Sequence, residues 1–149
     1  MFAEVMRKDP YLSYRIRLEL LLGIPRHNTD QDIHELIEAG FMPERVISLS
    51  DLRLLGPLER DQIIPLKTLR VRAARNQPLT VSESDRLFKF AHITALAQVI
   101  FGNEMKAMRW LSKSKERLAG RKPYEMLSTT PGIREVELML IQASESFAL

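Results

Sequence analysis

The apolar residues of this chain are densest between residues 80 and 101. One set falls at spacings of three and four residues and comprises Leu87, Phe90, Ala91, Thr94, Ala97 and Phe101. A second set lies on neighbouring faces and comprises Phe88, Ile93, Leu96, Val99 and Ile100. A helix that is apolar around most of its circumference is buried on several sides. Thr80 and Glu83 have the spacing of a capping box, and Gly102 follows as a C-terminal cap. The pattern therefore predicts a buried central helix over residues 80–101.

Shorter amphipathic segments lie on both sides of this helix. Start and stop signals predict helices over Pro10 to Gly23, Thr29 to Gly40, Pro57 to Ile64 and Lys67 to Arg75. They also predict helices that start at Pro43, after Asn103 and at Pro123, and a last helix whose apolar residues form one stripe, here called the final stripe. The predicted inward residues are Tyr11, Tyr14, Leu18, Leu21, Leu22, Ile33, Leu36, Ile37, Val46, Ile47 and Leu49, with Ile133, Val136, Leu140, Ala143 and Phe147 in the stripe. The apolar residues of the brief helix at 57–64 are Leu58, Ile63 and Ile64. No segment alternates as a strand does. The predicted fold class is all-α.

Two of the short helices form a predicted helix-turn-helix near residues 57–75. Pro65 disfavours a helical conformation at Ile64, so the chain turns there and starts a new helix. Leu66, Leu69 and Ala73 are predicted to face inward, leaving Lys67, Thr68, Arg70, Arg72 and Arg75 outward. Such a helix suits the major groove or the phosphates of DNA. A solvated basic helix is the alternative that the pattern leaves open.

Asn76, Gln77 and Pro78 form a predicted hinge before the central helix. We therefore expect a helical DNA-binding domain over residues 1–78 and a second helical domain over residues 79–149. The final stripe continues to Phe147, Ala148 and Leu149. These last residues fit either a frayed terminus or an anchor for a partner.

The composition limits the classes of protein that this chain can belong to. Its 149 residues include 45% hydrophobic and 28% charged residues, which is typical of a globular protein. No stretch is apolar enough to span a membrane, and the first residues lack a secretory signal, so we expect a cytoplasmic protein. The chain has no cysteine, which excludes disulfides, thiolate metal sites and thiol nucleophiles.

Charge is unevenly distributed although the formal net charge is only +3. Residues 67–75 carry four basic residues and no acid, and residues 109–122 carry six basic residues against Glu116 alone. Residues 123–149 are acidic, with four glutamates against Arg134. Two basic surfaces and an acidic end predict more than one kind of partner.

No catalytic constellation is present in the sequence. The three histidines, His27, His34 and His92, are scattered and predict no metal site. There is no serine nucleophile motif and no glycine-rich phosphate loop. We predict that the protein is not an enzyme, binds no metal or cofactor, and has no small-molecule substrate.

A set of short motifs resembles the Xre/ParS/MbcA-type antitoxins, and it covers about two thirds of the chain. In order, the motifs are Lys67-Thr68-Leu69 with Arg72, Leu79-Thr80 with Glu83 to Leu87, Val99 to Gly102, Arg109-Trp110-Leu111, Gly120 to Leu127, Gly132 and Val136. Their order and spacing together are specific. Two positions depart from the family pattern: Lys67 stands where an arginine is common, and Lys113 to Lys115 replaces a proline-asparagine pair.

The resemblance implies a bacterial toxin–antitoxin system. Its N-terminal part implies a Cro-like helix-turn-helix that binds the operon's own operator DNA as a homodimer and represses it. Its C-terminal part implies a domain that binds and occludes a RES-domain toxin that consumes NAD. On this basis the DNA contacts are Lys67, Thr68, Arg70, Arg72 and Arg75, and the toxin contacts are Arg121, Glu137, Leu140, Ser144, Phe147, Ala148 and Leu149.

Two other functions remain open from the sequence. The first is a free-standing transcriptional regulator without a toxin partner, whose C-terminal domain only dimerises. The second is a protein inhibitor whose helix-turn-helix does not touch DNA.

Overall fold

A computed structural model describes residues 9–147, without the side chain of Phe147. This part of the chain contains eight α-helices and no strand, which confirms the all-α prediction. The helices are α1 (Pro10–Leu22), α2 (Asp30–Ala39), α3 (Pro43–Asp51), α4 (Pro57–Ile63), α5 (Leu66–Ala74), α6 (Val81–Phe101), α7 (Glu104–Leu111) and α8 (Thr130–Phe147). Two 3-10 turns, Glu116–Leu118 and Pro123–Met126, lie between α7 and α8.

The described residues divide into two compact units, which we name by their place along the sequence. The central unit is residues 27–88, and the terminal unit is residues 9–26 with residues 89–147. The division falls within α6, which contributes residues to both units. The functional division at residues 78 and 79, into a DNA-binding and a toxin-binding domain, stays a prediction.

The predicted start and end of α6 are confirmed. The Thr80 hydroxyl accepts a bond of 3.1 Å from the Glu83 amide, and the Glu83 carboxylate accepts one of 2.9 Å from the Thr80 amide. This reciprocal pair satisfies two amides that a helix start otherwise leaves without partners. At the other end Gly102 has a φ of +64°, which favours glycine.

Polar contacts fix the first turns of α6 within the central unit. The fully buried Ser84 accepts a hydrogen bond of 3.0 Å from the Phe41 amide, and Arg86 donates two, of 3.0 and 2.9 Å, to the Ile63 carbonyl at the end of α4. The Leu79 amide donates to the Phe41 carbonyl at 2.8 Å. The start of α6 therefore holds both the segment between α2 and α3 and the end of α4.

The two helices of the predicted helix-turn-helix are present as α4 and α5. Ile64 has φ −158° and ψ 134°, so the residue before Pro65 is extended, as its proline predicts. Leu69 is buried as expected, whereas Leu66 is 40% exposed, so its inward assignment is wrong. The apolar Leu58 of α4 is 68% exposed. In α4 the buried positions include Arg60 instead, whose guanidinium donates to the Ile64 carbonyl at 3.1 Å. A helix of two turns has too few apolar positions to define its inner face from sequence.

Two further inward assignments are wrong. Ile47 in α3 is 36% exposed, and Tyr11 in α1 is 63% exposed. In α1 the buried side includes Arg15, whose guanidinium bonds the Pro25 carbonyl at 2.9 Å and the Tyr11 hydroxyl at 3.2 Å. A buried arginine with such partners occupies the face that an aromatic residue was expected to fill.

A second set of contacts orders the terminal unit. The Thr94 hydroxyl lies 3.0 Å from the Tyr124 hydroxyl, and the rings of Phe90 and Tyr124 stack with centroids 4.8 Å apart. These contacts join α6 to the second 3-10 turn. Helix α8 begins at Thr130 and includes Pro131 and Gly132, residues that the sequence predicted to lie before it.

Candidate functional site

An apolar groove with a volume of about 570 Å³ lies in the terminal unit. Helices α1, α6 and α8 line it, through Pro10, Tyr11, Tyr14, His92, Leu96, Val99, Ile100, Glu137, Ile141, Ser144 and Glu145. Most of these side chains are apolar, and Tyr11 and Ile141 are 63% and 49% exposed. Exposed apolar surface collected in one groove is characteristic of a binding site.

Local caps set where two of the lining helices begin. The Asp9 carboxylate accepts a bond of 2.9 Å from the Leu12 amide at the start of α1. The Thr129 hydroxyl accepts one of 3.1 Å from the Gly132 amide at the start of α8. Each cap provides a partner for a first-turn amide. These two caps therefore stabilise the starts of the helices that carry Tyr14 and Ile141.

Tyr14, His92 and Glu137 form a polar group in the groove. The Tyr14 hydroxyl lies 2.6 Å from Nδ1 of His92, and Nε2 of His92 lies 3.6 Å from the Glu137 carboxylate. Because an ionised carboxylate only accepts hydrogen bonds, the neutral ring that fits this arrangement carries its proton on Nε2 and accepts from Tyr14 at Nδ1. Burial lowers the pKa of His92 below its ordinary value of 6.5, and the Glu137 carboxylate offsets part of that effect.

We expect the folded protein to become less stable as the pH falls below about 6.5, because of His92. Its pKa is lower in the folded than in the unfolded chain, so the unfolded chain binds the proton first and stability rises with pH in this range. Protonation of Nδ1 also removes the acceptor for Tyr14. Thermal unfolding measured as a function of pH checks this.

The matched variant is His92→Gln, which keeps an acceptor and a donor and does not titrate. Its stability should change less than that of the natural protein as the pH falls below 6.5. Identical pH profiles for the two proteins would show that His92 does not control this dependence.

The groove offers apolar and polar binding contacts. The contacts of His92 include those to the Tyr14 hydroxyl and to the Glu137 carboxylate. Within residues 9–147 no group of three or more histidine, aspartate or glutamate side chains is placed to hold a metal ion. We therefore treat the groove as a candidate protein-binding surface.

Comparison with known proteins decides the family. A family profile described as the antitoxin Xre/MbcA/ParS C-terminal toxin-binding domain matches residues 96–143. A protein named Antitoxin Xre from Pseudomonas putida is 52% identical over 149 residues, which is 100% of this chain and 94% of that protein. The chain belongs to the Xre/MbcA/ParS antitoxin family. Its general role is therefore that of the antitoxin in a toxin–antitoxin pair, with a toxin as partner.

The matched range of the antitoxin includes much of the groove. Leu96, Val99, Ile100, Glu137 and Ile141 fall within residues 96–143, and Ser144 is the next residue. The side chains that line the groove on α6 and α8 are thus largely those of the toxin-binding domain.

The residues predicted to contact toxin are not all in one place. Glu137 and Ser144 line the groove, and Arg121 is exposed but is not among the lining residues. Leu140 is 0% exposed and is excluded as a contact, because a fully buried side chain presents no surface to a partner. The side chain of Phe147, and all of Ala148 and Leu149, lie outside the described residues.

Most residues of the groove were not predicted from the sequence to be contacts. The sequence predicted that the side of α6 with Leu96, Val99 and Ile100 is buried, whereas each of these residues is half-buried and lines the groove. Ile141 was not assigned at all because it lies one residue away from the stripe of Val136 and Leu140. The sequence signal for the groove was the large number of apolar residues around α6, because the helix then has more apolar faces than the core covers.

The candidate DNA-contacting helix of the antitoxin is α5. Lys67, Arg70 and Arg75 are exposed, and Thr68 is half-buried. Arg72 does not face outward as predicted, because its guanidinium lies 2.7 Å from the Glu83 carboxylate and 3.4 Å from the Pro78 carbonyl.

None of the described helices of the antitoxin combines the length and the apolar character that crossing a bilayer requires.

Proposed function

We propose that this antitoxin neutralises a RES-domain toxin that consumes NAD, by binding it through the groove and the far end of α8. The observation that carries the proposal is the overlap between the groove and the toxin-binding range at residues 96–143. Its apolar side chains supply the surface that a protein partner buries, and Glu137 and Glu145 supply an acidic edge. Apolar burial gives affinity, whereas the charged edge favours particular partners.

Inhibition would follow from occlusion of the toxin's active-site cleft. Helix α8 carries Ile141, Ser144 and Glu145 along the groove. Phe147, Ala148 and Leu149 follow in the sequence and supply the apolar anchors that we propose for the cleft.

The test is co-expression with the product of the neighbouring open reading frame. We expect that product alone to deplete cellular NAD and stop growth, and the antitoxin to prevent both while co-purifying with it. Unchanged NAD in all strains, with no co-purification, would refute the assignment of a NAD-consuming partner and favour the free-standing regulator.

We propose further that the antitoxin represses its own operon as a homodimer through α5. Lys67, Arg70 and Arg75 are exposed on this helix, and Leu69 anchors it in the central unit. Arginine and lysine contact guanine edges and phosphates when such a helix enters a major groove. A gel shift with the operon's promoter tests this, and an inhibitor without a DNA function would leave the promoter unshifted.

A further inference from the structure

In a basic segment of the terminal unit, the family resemblance gives a role only to Arg121, as a toxin contact. Residues 109–122 carry six basic residues, Arg109, Lys113, Lys115, Arg117, Arg121 and Lys122, against the single acid Glu116. None of them lines the groove, and none belongs to α5. Arg109 lies in the last turn of α7, where it complements the helix dipole. The basic residues beyond α7 need another explanation.

Three of these cations are close together. Lys115 and Arg121 are paired in an antiparallel bridge, with the Lys115 amide donating to the Arg121 carbonyl at 3.0 Å. Residues opposite each other in such a bridge project to the same face, with their Cβ atoms about 5 Å apart. Lys113 is two positions before Lys115 in the chain. Burial lowers the pKa of Lys115, and the charge of Lys113 lowers it further. We call Lys113, Lys115 and Arg121 the basic triad.

The backbone holds the triad in a fixed arrangement. The Lys115 carbonyl accepts bonds from the Leu118 amide at 3.0 Å and from the Gly120 amide at 2.9 Å. Ala119 and Gly120 have φ of +56° and +82°, which brings the chain back towards Lys115. Leu118 is only 4% exposed and anchors the turn. A prearranged loop loses little conformational entropy when it binds.

Other cations of the terminal unit have acidic partners. Arg17 pairs with Glu104, Arg26 with Glu19, and Arg117 with Glu135, each at 2.9 to 3.0 Å.

Among the described residues, no acidic side chain pairs with Lys113, Lys115 or Arg121. The ammonium of Lys115 instead lies 4.7 Å from the centre of the Trp110 ring. Three neighbouring positive charges that repel each other favour an anion as ligand.

We propose that the basic triad binds the phosphate backbone of duplex nucleic acid, independently of sequence. Lysine and arginine supply most phosphate contacts in such complexes. Protein interfaces, by contrast, are depleted in lysine and centre on apolar residues. Among the described residues, no large apolar side chain between residues 106 and 137 is exposed, so the segment offers no such anchor. The inference does not require α5 to read an operator.

The test measures how salt weakens binding of the full chain to a short fluorescent duplex of arbitrary sequence. The variant is Lys113→Gln, Lys115→Gln and Arg121→Gln, which removes three charges and keeps long polar side chains. Each phosphate contact contributes about 0.9 to the slope of log K against log salt, so the slope should fall by about 2.7. Between about 50 and about 200 mM salt, the natural protein should lose about 40-fold more affinity than the variant.

The matched control removes three charges elsewhere, at Arg45, Arg53 and Arg134, all of them exposed. Arg45 and Arg134 become glutamine, whereas Arg53 becomes asparagine because its φ is +60°. The control should keep nearly the natural slope. Trp110 is the single tryptophan, so its fluorescence should change when the duplex binds the natural protein.

An unchanged slope in the triad variant would overturn the inference, and so would a natural protein that binds no duplex. A variant that keeps the natural slope but loses co-purification with toxin would assign the triad to a protein contact instead. This experiment on the basic triad is independent of the proposal for α5. Substitutions at Lys67, Arg70 and Arg75 test operator binding separately, and either proposal can be refuted while the other holds.

Discussion

The variant Ile141→Glu should bind the toxin at least about 100-fold more weakly and should no longer protect growth. Ile141 is 49% exposed, lines the groove, and lies in the toxin-binding range. A charge at the centre of an apolar contact must be desolvated on binding, and central apolar anchors carry most of the energy of an interface. Glu137 and Glu145 in the same groove add like-charge repulsion. Calorimetric titration with the toxin measures the affinity.

Leu138→Glu is the matched control for this experiment. Leu138 lies on the same helix and is 44% exposed, yet it does not line the groove. Its affinity for toxin should stay within a few-fold of the natural value, and both variants should retain their helical content and thermal stability. Equal losses of affinity in the two variants would refute the groove as the docking surface.

Removal of residues 145–149 tests the second part of the mechanism. We expect growth protection to be lost, because the segment that we propose to enter the toxin's cleft is then absent. The groove residues before Glu145 remain, so co-purification should be weakened less than protection. Full protection by the shortened chain would place the inhibitory contact elsewhere.

Arg70→Ala should weaken promoter binding and Arg72→Ala should lower stability, although the two residues are only two positions apart. Arg70 is exposed, so its loss should weaken promoter binding, lower the salt slope by about 0.9 and leave stability unchanged. Arg72 pairs with Glu83, whose side chain is 10% exposed, and this same carboxylate caps α6. Its loss should lower the free energy of unfolding by about 2 to 3 kcal/mol, because Glu83 is left without its charged partner.

Urea denaturation and promoter titrations at several salt concentrations separate the two effects. A useful control is Arg75→Ala, since Arg75 is exposed and has no contact with Glu83. It should resemble Arg70→Ala. Equal stability of the Arg72 and Arg70 variants would show that the pair with Glu83 contributes little, and that Arg72 is free to serve DNA.

The sequence predicted the helices well because their signals are local. The capping box of Thr80 and Glu83, the glycine at position 102, and the extended residue before Pro65 all depend on neighbours within a few positions. Such signals favour these local conformations without help from distant residues, and the structure confirms each of them. The family was also within reach of the sequence, since its motifs depend on order and spacing.

Which face of each short helix is buried could not be predicted in the same way. Leu58 and Leu66 are apolar and exposed, whereas Arg15 and Arg60 are charged and buried. Long-range packing and the carbonyl partners of these arginines decide which face is inside. A helix of two or three turns carries too weak a pattern to outweigh them.

The sequence by itself determined the all-α class, the start and end of α6, and membership of the antitoxin family. Only the tertiary structure decided which residues share a surface. Tyr14 and His92 are 78 positions apart and bond at 2.6 Å, and Glu137 on a third helix completes the group. The groove exists because α1, α6 and α8 leave apolar faces uncovered between them. Capping residues and the spacing of apolar residues act within one helix, whereas a groove depends on how separate helices pack.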